Sequence, residues 1–180
     1  GAGPRAMSEV SVAAGRQVTV SVPATSANLG PGFDAMGLAL TLRDDVAVEV
    51  VGPSAPRLTV EVSGEGADDV ARDESHLVVR SMLAAFDQLG VPAPRLAVRC
   101  TNRIPHARGL GSSAAATVAG VLAARALVRA RRDDDAVLAL ATAIEGHPDN
   151  AAACVLGGLT LAWTGVAGVR AVRLERAATL

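Results

Sequence analysis

Pro105-His-Ala-Arg-Gly-Leu-Gly-Ser-Ser-Ala-Ala-Ala116 is the stretch on which the reading of this chain turns. A glycine-serine turn runs there directly into an alanine-rich helix. Gly109 and Gly111 let the backbone approach a ligand with no Cβ in the way. Ser112, Ser113 and the amides behind them stand at a helix N-terminus, where unpaired N–H groups and the macrodipole attract an anion. The chain has no lysine, and all 17 of its basic residues are arginine. A P-loop, which needs Gly-Lys-Ser/Thr, is therefore excluded. Any phosphate cradle here works without lysine.

Outward from this turn the chain alternates between two periods. Upstream, Leu96, Val98 and Cys100 read as a strand leading into it. Downstream, a helix is expected from Ser112 to Arg132, on the order of 30 Å long at ~1.5 Å per residue. Its small residues (Ala114, Ala115, Ala116, Ala119, Gly120) imply close packing on a neighbour. Asp133 to Asp135 cap a further helix with the face Val137, Leu138, Ala141 and Ile144, ended by Gly146. A short helical stretch to Leu156 and strands near Leu159–Trp163 and Val169–Leu174 follow.

Nearer the start, Val18, Val20 and Val22 predict a strand ending at Pro23. Met36 to Leu42, Val46 to Val50 and Leu58 to Val62 alternate likewise. With short links they predict three or four successive antiparallel strands. Leu77, Val78, Met82, Ala85, Phe86 and Leu89 then share one helical face, stopped by Gly90 and Pro92. Strands come early and helices late, so the expected fold class is α+β in two layers.

Composition narrows the function. The 180 residues suffice for one domain with a real core, half of them are hydrophobic, and the net charge is −1. Aromatics are limited to Phe33, Phe86 and Trp163, too few for a base-stacking surface. The only basic cluster, Arg129-Ala-Arg131-Arg132, reads as a solvated helix end, so no nucleic-acid partner is expected. No apolar run would span a bilayer and no signal-peptide pattern stands at the start, so a cytoplasmic protein with no membrane partner is expected. Cys100 and Cys154 lie in apolar segments and read as buried thiols. Residues 1–16 are read as a tag or disordered extension.

Three polar, turn-rich segments are bounded by regular structure: Thr25–Asp34, Pro105–Ala115 and Glu145–Asn150. Singly, each is a weak signal. Gly109-x-Gly111-x-x-Ala114 also fits a dinucleotide fingerprint, but the acid expected at the end of the next strand is missing. On spacing alone a structural turn is as good a reading as a ligand site. An Asx-turn after Gly32 is the alternative for Asp34, and a capping or core histidine the alternative for His147.

Together the three segments resemble one family. Pro105-x-x-x-Gly109-Leu-Gly-Ser-Ser-Ala-Ala115 is similar to the central motif of the small-molecule kinases named for galactose, homoserine, mevalonate and phosphomevalonate. Pro23-Ala-Thr-Ser-Ala-Asn28-Leu-Gly-Pro-Gly-Phe-Asp34, Glu145-Gly-His-Pro-Asp-Asn150 and Leu156-Gly-Gly158 resemble the homoserine kinases within it. The likeness spans Val18 to Leu174.

The resemblance implies a two-layer domain like the second domain of ribosomal protein S5, in residues 17–168. Residues 169–180 would begin the link to a C-terminal domain that is largely missing. It implies transfer of a phosphoryl group from ATP, with Mg²⁺, to L-homoserine, the small-molecule partner, giving O-phospho-L-homoserine in threonine biosynthesis. ATP phosphates would lie on Pro105, Arg108, Gly109, Leu110, Gly111, Ser112, Ser113, Ala114 and Ala115. Asn28, Asp34, His147 and Asn150 would hold the amino acid, an ammonium suiting the Asp34 carboxylate. Asn150 and Asp149 would orient the attacking hydroxyl. Ser113 would reach the metal. Relatives often place a metal-binding Glu two helical turns before the Asp-Asn pair; here that region reads Leu138-Ala-Leu-Ala141, which leaves Glu145 as the metal candidate. A sister kinase for another small alcohol, a non-catalytic nucleotide-binding module and a dehydrogenase are the alternatives, and a homodimer is left open.

Overall fold

The computed structural model describes residues 12–175. A six-stranded mixed sheet carries four helices, in the order β1 (Gln17–Ala27), β2 (Met36–Val50), β3 (Leu58–Gly64), α1 (Leu77–Gln88), β4 (Leu96–Asn102), α2 (Ser112–Leu127), α3 (Asp134–Glu145), α4 (Asp149–Leu156), β5 (Leu159–Gly165) and β6 (Gly168–Leu174). The expected α+β, two-layer class is what the chain adopts.

Several boundaries differ from the sequence expectations, each for a physical reason. β1 does not stop at Pro23. It continues to Ala27 through a register shift between Pro23 and Thr25, where the N–H that proline lacks is not needed by the ladder. Met36–Leu42 and Val46–Val50 are one 15-residue strand rather than two. The polar middle of β2 stays extended because Asp44 and Asp45 pair with Val22 and Ser21, and the Arg43 guanidinium donates to the Ser21 side chain and carbonyl.

β3 is not antiparallel to β2. It pairs parallel with β4, and α1 provides the crossover such a pair requires. α2 ends at Leu127, short of Arg132, so the arginine cluster lies beyond the helix, where Arg129 takes a φ of 54° and Arg132 pairs with Asp134. β6 has a partner, pairing antiparallel with β5 along its whole length. Before β1, the Gly15 amide and Arg16 carbonyl bond to Val50, tying the start of the described chain to the sheet. The rest of the expected extension, residues 1–11, and the end of the expected link, residues 176–180, lie outside the described residues.

α2 is the central element. It touches β1, β2 and all three other helices. Its small residues do what their spacing implied: a Cβ on Gly120 would overlap the Val78 carbonyl and reach the Ser81 side chain. The core runs from Val46, Val48 and Val98 on the sheet through Met82 and Phe86 of α1 to Val118, Val121 and Leu127 of α2, all at most 2% exposed. At about 1.5–3 kcal/mol for each large side chain withdrawn from water, these residues anchor the helix layer. Both cysteines are free and buried, and burial pushes the Cys100 thiol up to about 11 and Cys154 up to about 12, so neither is a nucleophile at neutral pH. No helix among the described residues is long and apolar enough to cross a membrane.

Candidate active site

Two helix N-termini in this fold are treated differently. At α3 the Asp133 carboxylate accepts from the Ala136 amide, and Asp134 and Asp135 occupy the first turn. At α2 the N-cap is Gly111, no side chain caps, and no acid stands in the first turn. The first amides of α2 therefore face outward with no intrahelical partner, as an anion site requires.

The turn that delivers those amides is tied from both sides. Asp44, buried on β2, accepts from the backbone amides of Arg103 and Ile104 at 2.6 and 2.9 Å, fixing the end of β4. The Thr25 amide donates to the Leu110 carbonyl at 3.0 Å. Gly111 has a φ of 65°, and a Cβ there would overlap the Thr25 hydroxyl. Both conditions demand glycine.

A cavity opens on each side of this turn. The first, about 360 Å³, is lined by Val22, Val46, Val70, Leu77, Val78 and Ala119, with His76, Ser112 and Ser113 among its polar groups. Its character is apolar. His76 is 7% exposed, and its Nδ1 has no partner. Burial, aided by Arg72, holds its imidazole below the usual value of 6.5 against the opposing pull of Asp73, so the ring is neutral near pH 7.

The second cavity, about 230 Å³, is polar and lined by Asn28, Asp34, Gly111, Ser113, Ala114, Glu145, His147, Asp149 and Asn150. Ser113 lies in the wall of both.

The second cavity collects residues from all three motif segments. Asn28 follows β1, with a φ of 59°, and Asp34 sits in the short 3₁₀ stretch Gly30–Ala35, which kinks at Phe33. Glu145 ends α3, His147 stands exposed in the link, and Asp149 and Asn150 open α4. Asp149 is 3% exposed, and its Oδ1 accepts from the Asn150 amide at 2.8 Å. Glu145 receives two hydroxyls, from Ser113 at 2.6 Å on Oε2 and from Thr117 on Oε1. Ser113 and Thr117 are one helical turn apart, so one carboxylate bridges both.

Every residue expected for the amino acid, the hydroxyl and the metal is thus gathered around one cavity. Among those expected for phosphates, Gly111, Ser112, Ser113, Ala114 and Ala115 line one cavity or the other. Pro105, Arg108, Gly109 and Leu110 shape the turn and line neither. Thr25, Thr117 and His76 were not singled out by sequence. The four-residue step from Ser113 to Thr117 could have flagged the second hydroxyl; nothing local marks His76 as buried beside a cavity.

Comparison with known proteins bears on the fold and the family. Residues 76–158 match the family described as GHMP kinases N terminal domain. The fold is shared with the mevalonate kinase of Methanococcus jannaschii, at a TM-score of 0.66 and 13% identity over 96% of this chain and 57% of that one. The chain has the fold of the GHMP kinase N-terminal domain, and residues 76–158 carry the match to that family.

Within that family it is similar to homoserine kinases. It is 58% identical over 161 residues to the homoserine kinase of Streptomyces coelicolor, covering 88% of this chain and 51% of that protein. The crystal structure of homoserine kinase from Cytophaga hutchinsonii superposes with a TM-score of 0.76 at 30% identity, over 94% of this chain and 53% of that one. The chain spans about half the length of the curated relatives it matches.

Proposed function

We propose that this chain is the nucleotide- and acceptor-binding half of a homoserine kinase, which transfers the γ-phosphoryl group of ATP to the side-chain hydroxyl of L-homoserine. The observation that carries this reading is Ser113, placed in the wall of both cavities at the uncapped start of α2. A nucleotide whose base fills the apolar cavity brings its phosphates across the α2 amides to the edge of the polar one. Phosphoryl transfer asks chiefly for this kind of positioning and charge stabilisation.

The residues divide the work as follows. The uncapped amides of α2 hold phosphate oxygens. Asp34 takes the α-ammonium of the amino acid, and Asn28 and His147 supply further polar contacts to it. The acceptor oxygen bonds to the γ-phosphorus, the bond to the bridging oxygen of ADP breaks, and the hydroxyl proton leaves. Asp149 has Oδ1 committed to a backbone amide, so Oδ2 is the atom free to receive that proton.

The Ser113 hydroxyl and Glu145 carboxylate form an all-oxygen donor pair suited to Mg²⁺, a hard cation that keeps other positions for phosphate and water. When bound, Mg²⁺ neutralises charge on the transferring phosphates. No group of three or more His, Cys, Asp or Glu side chains is poised for a metal among the described residues. A dedicated protein cage is therefore not what this pair belongs to.

The half-length span of the chain favours one second reading, a module that binds nucleotide without turnover. The test is ADP release from Mg·ATP by this chain, with L-homoserine, with L-serine and with neither. Homoserine-dependent release supports the kinase. Nucleotide binding without release supports the module, and absence of nucleotide binding rejects both.

A further inference from the structure

The three motif segments touch each other at one side chain. Thr25 comes from the first, and its amide donates to Leu110 of the second. Its hydroxyl donates to Asn150 Oδ1 of the third at 2.7 Å. Gly111, also of the second, packs so closely that a Cβ would overlap the Thr25 hydroxyl and stand 2.9 Å from Asn150 Oδ1. Thr25 is fully buried, whereas Asn150 is half-buried on the wall of the polar cavity. A buried hydroxyl needs a partner, and Asn150 is the one it has.

As placed, this bond engages the acceptor end of the Asn150 amide. A primary amide has one acceptor end and one donor end, and rotation by half a turn exchanges them. With Oδ1 engaged by the Thr25 proton, the NH₂ end of Asn150 is left without a partner among the described residues.

We infer that Thr25 is a positioning residue: its hydroxyl locks the Asn150 amide so that the NH₂ end is presented to the acceptor cavity. Asn150 then acts as a donor there, to an acceptor or phosphoryl oxygen, and does not take the acceptor's proton. The same contact couples the nucleotide turn to the acceptor site through Gly111. This rests on the proposed acceptor site, although the Thr25–Asn150 bond itself does not.

The test uses the whole 180-residue chain with Thr25→Val, which keeps the volume and removes the donor, and Thr25→Ser, which keeps the donor. Two readouts separate the two ideas. In isotope-labelled protein, the Asn150 side-chain amide protons are expected to shift and exchange faster in Thr25→Val and to stay near wild type in Thr25→Ser. An Asn150 amide unchanged by Thr25→Val overturns the inference, whether or not homoserine binds.

The second readout is the affinity for L-homoserine in the presence of Mg·ADP. Thr25→Val is expected to weaken it by about tenfold, with Thr25→Ser within about threefold. In an Asn150→Ala background the Thr25→Val effect is expected to vanish, since the pair then has nothing left to share. Additive effects, or Thr25→Ser as damaging as Thr25→Val, would mean that Thr25 only fills the core. Failure of the wild-type chain to bind homoserine counts against the acceptor site and leaves the amide readout to decide on Thr25.

Discussion

The two cavities beside α2 are opposites. One is walled mainly by valine, leucine and alanine, with the buried His76 and a minority of other polar groups, among them Asp44, Asn102 and His106. The other is walled by two carboxylates from the α3–α4 region, a third from the first loop, two asparagines and a histidine. The first can bind through withdrawal of apolar surface from water and discriminates little. The second can bind through paired charges and hydrogen bonds, where a missing partner costs more than a missing methylene. Ser113 and the open end of α2 join them, so the proposed transfer falls where two unlike kinds of recognition would meet.

Removing that junction should have the largest effect. Gly111→Ala forces a side chain into left-handed backbone and into the Thr25 hydroxyl. Titrations with Mg·ADP and with L-homoserine should both weaken, by at least about tenfold each, given a cost of about 1–3 kcal/mol for the backbone alone. Loss of only one ligand would show that the turn is not shared.

Next comes the carboxylate that Ser113 and Thr117 hold. Glu145→Gln should weaken Mn²⁺ binding in the presence of ADP by about tenfold to a hundredfold, the range usual for groups that fix or ligate a metal. Metal-free nucleotide binding should change little, and calorimetry with and without the metal separates the two.

The two cavities can also be broken one at a time. Ala116→Phe places a ring in the apolar cavity and should weaken nucleotide binding by about tenfold while sparing homoserine. Asp34→Asn should do the reverse, removing a charge-assisted bond of about 1.5–3 kcal/mol to the ammonium. Crossed effects would contradict the division of labour.

The smallest effect concerns His76. Its folded value lies below 6.5 because burial disfavours the imidazolium. Between the folded and unfolded values the unfolded chain holds more protons, so stability rises with pH there and is lost as pH falls. The melting temperature should drop on acidification from about pH 7 towards about pH 5, and His76→Asn should flatten that slope. Differential scanning calorimetry across this range reads it.

What the sequence disclosed follows from the kind of signal each feature carries. The helix faces of α1 and α3, their glycine stops and the uncapped start of α2 are local, and local patterning disclosed them. The continuation of β1 past Pro23 and the parallel pairing of β3 with β4 depend on partners far along the chain, and alternation alone says nothing of partners. In the site, resemblance brought Asn28, Asp34, Glu145, His147, Asp149 and Asn150 together as candidates, and the fold gathers them around one cavity. Thr25 stayed hidden because one threonine among the polar residues of a motif has no mark of its own, and Thr117 was marked only by its four-residue step from Ser113. Their hydroxyls matter only once Asn150 and Glu145 fold against them.

The most direct test of the central claim is paramagnetic broadening by Mn²⁺·ADP in the isotope-labelled chain. The account predicts broadening centred on Ser113 and Glu145 and extending into both cavities, to Ser112 on one side and Asn150 on the other. Broadening centred elsewhere, or confined to one cavity, would contradict a shared junction at the start of α2.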